Sequence, residues 1–207
     1  MPNTTVVISI IATILVIATL LFLLYLAFSK LPPLEPFLPL SGSEPTYNPS
    51  AWNSDPDQQK RHNCYAYVLD DLVLDRENKP QPGSYSSNIR DTTNMKKYSS
   101  CPVMLDRIET DNPSIYKAEE DLPCMAGFYK GYLTLAPGED YHFYRQDSNG
   151  YFSHKRGKLA VEDTDAAQNK IENPRLANRV YGDRDYNESC GYFCIPSNST
   201  SLTSSTS

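Results

Sequence analysis

The sequence predicts an α+β domain, with one helix packed on an antiparallel sheet, preceded by a single transmembrane helix. Three observations predict it. Residues 6–28 form a stretch of 23 residues without charge, proline or glycine. From Cys64 onward Tyr65, Val68, Leu69, Leu72 and Val73 recur at helical spacing. Between residues 128 and 155 apolar side chains alternate along runs separated by strong turn sequences.

The apolar stretch is long enough for a bilayer, whose hydrocarbon core of roughly 30 Å takes about 20 residues of helix with every backbone polar group bonded internally. Ser9, Thr13 and Thr19 are compatible with that setting, because short hydroxyls bond back to their own helix. A cleaved signal peptide is the competing reading. No Lys or Arg precedes the stretch, and it exceeds a usual signal core, so a membrane anchor is expected. Lys30 alone is too weak a charge signal to set the sidedness. The chain then divides into an N-terminal tail (1–5), the transmembrane helix (6–28), a proline-rich linker (29–49), one domain (50–196) and a disordered Ser/Thr tail (197–207). Residues 30–49 hold six prolines, which predicts an extended spacer. The tail has too little apolar surface to offset the entropy of ordering it.

Past the anchor and Lys30 there are 18 basic and 25 acidic residues, a balance that excludes a nucleic-acid partner, since phosphate binding needs a concentrated basic surface. Five cysteines are an odd number. In an oxidising space four could pair, with Cys101 or Cys124 as partners for Cys190 and Cys194, and one would stay a thiol; in the cytosol all five could be reduced. Cys190 and Cys194 have three intervening residues and no second pair at ligand spacing, so no metal and no cofactor is expected. Asn187-Glu-Ser and Asn198-Ser-Thr match the glycosylation pattern.

Within the domain, Asn63 is a fitting N-cap for a helix that starts at Cys64 and ends before the turn Pro80-Gln81-Pro82-Gly83. Residues 84–123 are polar and proline-interrupted, with a short helix expected around 114–120. A strand over 128–135 places Tyr129, Gly131, Leu133 and Leu135 on one face, and Ala136-Pro137-Gly138 turns it. Strands over 141–146 and 151–155 flank Asp147-Ser148-Asn149-Gly150, a hairpin signal. A last apolar strand, 191–196, closes the sheet.

The chemistry-bearing residues lie on these elements. A cysteine at a helix N-terminus feels unpaired N–H groups and the positive end of the helix dipole, both of which favour thiolate. To act, it needs an imidazole to take and return a proton, and a third group to orient that ring. His142 and His154 lie on the two hairpin arms, and loop length decides whether they share a face. Loops of two or four residues place them on opposite faces. A three-residue loop, Ser148-Asn149-Gly150 with Gly150 left-handed, pairs His154 with Tyr144 and makes it a diagonal neighbour of His142. His62, two residues before Cys64, is expected at the surface.

Asn63-Cys64-Tyr65-Ala66-Tyr67 and the run from Asp140-Tyr141-His142 to Ser153-His154-Lys155 resemble the NlpC-type branch of papain-like cysteine peptidases. The resemblance covers about residues 52–196 and implies a papain-like α+β fold with Cys64 as nucleophile, His142 as base and then acid, and His154 as orienter. It implies an oxyanion held by the Cys64 backbone N–H and by Gln58, six residues before the cysteine. The long interval between Cys64 and His142 implies an insertion between Pro80 and Pro123. The function that follows is a membrane-anchored cysteine hydrolase cutting an amide bond in a peptidoglycan peptide or an isopeptide. An acyltransferase or lipid hydrolase of the lecithin:retinol acyltransferase kind, and an inactive membrane or envelope binding protein, are the alternatives. The partners expected are the membrane and a peptide or acyl substrate.

Overall fold

The computed structural model describes residues 3–29, 37–73, 77–86 and 100–197. It divides into two units, Met1–Glu35 and Pro36–Ser207. Among its described residues the first contains one helix, α1 (Thr4–Ser29), whose segment Ile8–Leu26 is long and apolar enough to cross a membrane. Thr13 Oγ1 donates to the Ser9 carbonyl at 2.9 Å, and Thr19 Oγ1 to the Leu15 and Val16 carbonyls, so these hydroxyls are satisfied within the helix.

The second unit is built around a six-stranded antiparallel sheet in the order β1-β8-β2-β3-β4-β5. Its strands are β1 (Tyr116–Ala118), β2 (Phe128–Ala136), β3 (Asp140–Gln146), β4 (Phe152–Lys155), β5 (Val161–Glu162) and β8 (Glu188–Pro196), while β6 (Val180–Tyr181) and β7 (Arg184–Asp185) form a separate ribbon. Among the described residues four short helices accompany it: α2 (Pro49–Asn53), α3 (Pro56–Arg61), α4 (Cys64–Val68) and α5 (Cys101–Asp111). The strand alternation read from the sequence sets two cores. Tyr129, Leu133 and Leu135 of β2 meet Tyr65, Val68 and Leu69 of the α4 region on one face, with Met104 and Ile108 of α5. Tyr132, Tyr144, Phe152 and Tyr192 pack together on the other. Gly131 is required where β2 meets β8, because a Cβ there would lie 2.8 Å from the Phe193 ring.

Several elements differ from expectation. The helix that begins at Cys64 ends at Val68 instead of running toward Pro80. Asp70 takes a left-handed conformation with φ +53°, and the Asp71 N–H returns to the Ala66 carbonyl at 2.9 Å, closing the helix as glycine commonly does. The segment expected to be helical around 114–120 instead supplies β1, which pairs with β8. α5 lies in the interval between Cys64 and His142, upstream of the helix expected there, although Ser100 and Pro102 stand where an N-cap and a first-turn proline belong. Strand β8 does more than close the sheet: it lies between β1 and β2.

Residues 37–48, expected as part of a spacer, are packed on the domain. Gln146 Nε2 donates to the Leu38 carbonyl, Ser148 N–H to the Pro45 carbonyl, and Phe37 lies edge-on to Tyr151. Ser197, the first residue of the expected tail, hydrogen-bonds Gly127 and Ser43, while residues 198–207, Asn198 among them, lie outside the described residues. Two disulfides, Cys101–Cys190 and Cys124–Cys194, tie α5 and the segment before β2 to β8. Cys64 is buried and outside any disulfide.

Candidate active site

The β3–β4 hairpin fixes the two imidazoles relative to each other. Tyr144 pairs with His154 and Gln146 with Phe152, leaving Ser148-Asn149-Gly150 as the loop. Gly150 is left-handed at φ +89°, and its N–H donates to the Asp147 carbonyl. This register puts His142 and His154 on one face, where His142 Nε2 and His154 Nδ1 are 2.7 Å apart. Both rings are buried. Tyr144 stacks on His154 with ring centroids 4.9 Å apart and meets His142 edge-on.

The proton positions follow from what each partner can accept. His154 Nε2 lies 3.0 Å from the Thr164 carbonyl, which has no proton to give, so Nε2 carries the hydrogen. Complete burial pushes the His154 pKa down to about 4, keeping the ring neutral near pH 7 and leaving Nδ1 as an acceptor. His142 Nε2–H must therefore donate to it. The lone pair of His142 is then on Nδ1, the nitrogen a general base uses.

Cys64 arrives from the other side of the sheet. Tyr141, Phe143 and Arg145 alternate with the His142 face and meet the α4 region: Phe143 packs on Tyr65, and the Arg145 guanidinium lies 4.1 Å from the centroid of the Tyr67 ring. Ser153 and Lys155 of β4 point the same way, to the Tyr67 hydroxyl and the His62 carbonyl. Thiol and imidazole nevertheless border one cavity of about 320 Å³, whose wall includes Cys64, His142, Tyr141, Gln81 and Tyr186. Lys79, Arg156 and Arg184 also line it, with Asp140 accepting from Arg184 at 3.0 Å and from the Tyr186 hydroxyl at 3.1 Å.

The segment carrying Cys64 is held by contacts remote in sequence. The Asn63 carboxamide caps the Ala66 N–H at 3.0 Å, as the sequence suggests, and its Nδ2 donates to the Pro80 carbonyl at 2.6 Å. Lys155 Nζ lies 2.6 to 3.0 Å from the carbonyls of Gln59, His62, Gly157 and Leu159. Burial lowers its pKa to about 8. Because α4 is a single turn, the helix dipole expected at Cys64 is small; first-turn N–H groups are what the helix offers there.

Two residues near Cys64 in sequence lie otherwise than expected. Gln58 lies on α3, and its Nε2 donates to the Ala51 carbonyl at 3.2 Å, so its amide serves a backbone contact instead of the cavity. His62, expected at the surface, is fully buried, edge-on to Trp52, with Nδ1 2.8 Å from the Gln58 carbonyl. Asn187 is exposed between β7 and β8. Cys101, Cys190 and Glu188 cluster closely enough for a metal, but both sulfurs are committed to the disulfide, and the arrangement offers no thiolate.

No family model matches the chain, and no solved structure matches it. The insoluble matrix shell protein 1 of Ruditapes philippinarum is 34% identical to it over 134 residues, which are 64% of this chain and 80% of that protein.

Proposed function

We propose that this chain, a member of the family of the insoluble matrix shell protein 1, carries a papain-like cysteine hydrolase or acyltransferase domain operating in an oxidising, extracytoplasmic space. The observation that carries the chemistry is the His142–His154 hydrogen bond at 2.7 Å beside a cavity that also exposes Cys64. In the proposed reaction His142 Nδ1 takes the thiol proton, and the Cys64 sulfur attacks an acyl carbon. The carbon–nitrogen or carbon–oxygen bond breaks as His142 returns the proton to the leaving group. Water, deprotonated by His142, then releases the acyl group from sulfur. His154 holds the ring and accepts its Nε2–H. The two disulfides support the compartment. The apolar helix supports delivery there, either as a retained anchor or as a signal sequence, since both have its length and composition.

The activated ester p-nitrophenyl acetate tests this without knowledge of the natural substrate. Wild-type protein should hydrolyse it, with a drop on the order of 10³-fold in Cys64→Ala and in His142→Ala. Equal rates in wild type and Cys64→Ala would refute the reading.

A second reading is favoured by the relative's being a matrix shell protein: the domain serves as a structural component of an extracellular matrix, with its fold stabilised by the disulfides. That reading expects no turnover from wild-type protein.

A further inference from the structure

We infer that Gln81 supplies the side-chain hydrogen-bond donor for the oxyanion formed when the Cys64 sulfur adds to a carbonyl, the role the papain-like resemblance implies for Gln58. The inference rests on the hydrolase reading and adds a residue to it. Gln81 lines the cavity together with Cys64, His142 and Tyr141. The Tyr141 hydroxyl donates to Gln81 Oε1, which fixes the amide orientation and leaves the NH2 end as the donor. Tyr141 keeps its proton for this, because burial first and then the nearby Cys64 and Asp140 charges hold its pKa well above the ordinary value.

An oxyanion donor is useful only if it is already in place when charge develops on the oxygen, and the loop carrying Gln81 is built for that. Asn63, the residue before the nucleophile, holds the Pro80 carbonyl at 2.6 Å, coupling Gln81 directly to the Cys64 turn. The Ser84 N–H closes the turn on the Gln81 carbonyl at 2.8 Å, and the Gln81 N–H donates to Ser84 Oγ at 3.0 Å. Asp111 then collects the N–H groups of Gly83, Tyr85 and Ser86 together with the Tyr65 hydroxyl of α4, at 2.6 to 2.9 Å. One buried carboxylate thus ties the loop to the helix that begins with the nucleophile. Gln58 has no comparable position, since its amide is spent on Ala51.

When sulfur adds to an aldehyde, a carbon–sulfur bond forms and the carbonyl π pair moves onto oxygen, where the donor acts. Alkylation of the same sulfur by iodoacetamide displaces iodide and develops no charge on a carbonyl oxygen. The two reagents therefore separate the proposed role of Gln81 from nucleophile activation. Full-length protein and its Gln81→Ala and Gln81→Leu variants are measured for the rate of Cys64 alkylation by iodoacetamide and for reversible inhibition of that alkylation by N-acetylaminoacetaldehyde. The expected result is an alkylation rate within about two-fold of wild type and aldehyde affinity weakened at least ten-fold, with Gln81→Asn intermediate. Wild-type alkylation no faster than that of a free thiol would sink the hydrolase reading itself. Fast alkylation with unchanged aldehyde affinity in both variants would overturn the role of Gln81 alone.

Discussion

The β3–β4 hairpin and the α4 turn each carry half of the candidate site, and they are held in opposite ways. The hairpin is fixed by its own backbone: a three-residue loop with a left-handed Gly150 sets the register, and the register sets the 2.7 Å contact between the imidazoles. α4 is one turn long, too short to be stable alone, and is gripped from outside by Lys155 from β4, by Asp111 at the end of α5, and through Asn63 by the Pro80 loop. One half of the site is thus encoded locally, and the other depends on the completed tertiary fold.

Breaking the local half should have the largest effect. Gly150→Val puts a β-branched side chain at φ +89°, where its Cβ would also lie 2.9 Å from the Phe37 ring, so the three-residue loop and the register it sets should be lost. The imidazole–imidazole hydrogen bond should vanish from the histidine side-chain NMR spectrum, and ester hydrolysis should fall at least 100-fold. An unchanged histidine spectrum would mean that the loop does not control the register.

The remote half responds to Lys155→Met. Removing the ammonium takes three N–H donors from the carbonyls of Gln59, His62, Gly157 and Leu159, the His62 carbonyl being buried, and should cost about 2 to 3 kcal/mol in chemical unfolding. A loss under about 1 kcal/mol would show that α4 is held by apolar packing alone.

Acid probes the local half, because His154 is fully buried in the hairpin and neutral in the folded chain near pH 7. Its pKa is about 4 folded against an ordinary 6.5, so between those values the unfolded chain binds a proton that the folded chain refuses. This contribution to stability is complete above pH 6.5 and is lost as pH falls toward 4, an effect of about 3 kcal/mol. The His154→Gln variant should lose that dependence in urea titrations run from pH 7 to pH 4. A wild-type slope retained in the variant would assign the effect to other groups.

The same division explains what could be read from the sequence. The hairpin, its register and the inward face of β2 were legible, because alternation and one glycine determine them within a short stretch. Asn63 was legible as a cap, but not as the clasp on Pro80, since that contact spans 17 residues. Gln81 was visible only as part of a turn; its place beside Cys64 depends on Asp111 and Tyr141, which the chain brings together from far apart. His62 looked exposed beside polar neighbours, and only the fold sets Trp52 against it. The strand character of residues 116–118 comes from pairing with β8, which no local pattern announces.

A Cys64 sulfur that acts as nucleophile with His142 as its base must carry the acyl group during turnover, and that intermediate can be captured. Protein quenched in acid during p-nitrophenyl acetate hydrolysis and mapped by peptide mass spectrometry should carry an acetyl group on Cys64, absent or strongly reduced in His142→Ala. Acetyl groups confined to lysine side chains, or equal labelling of Cys64 with and without His142, would contradict the account.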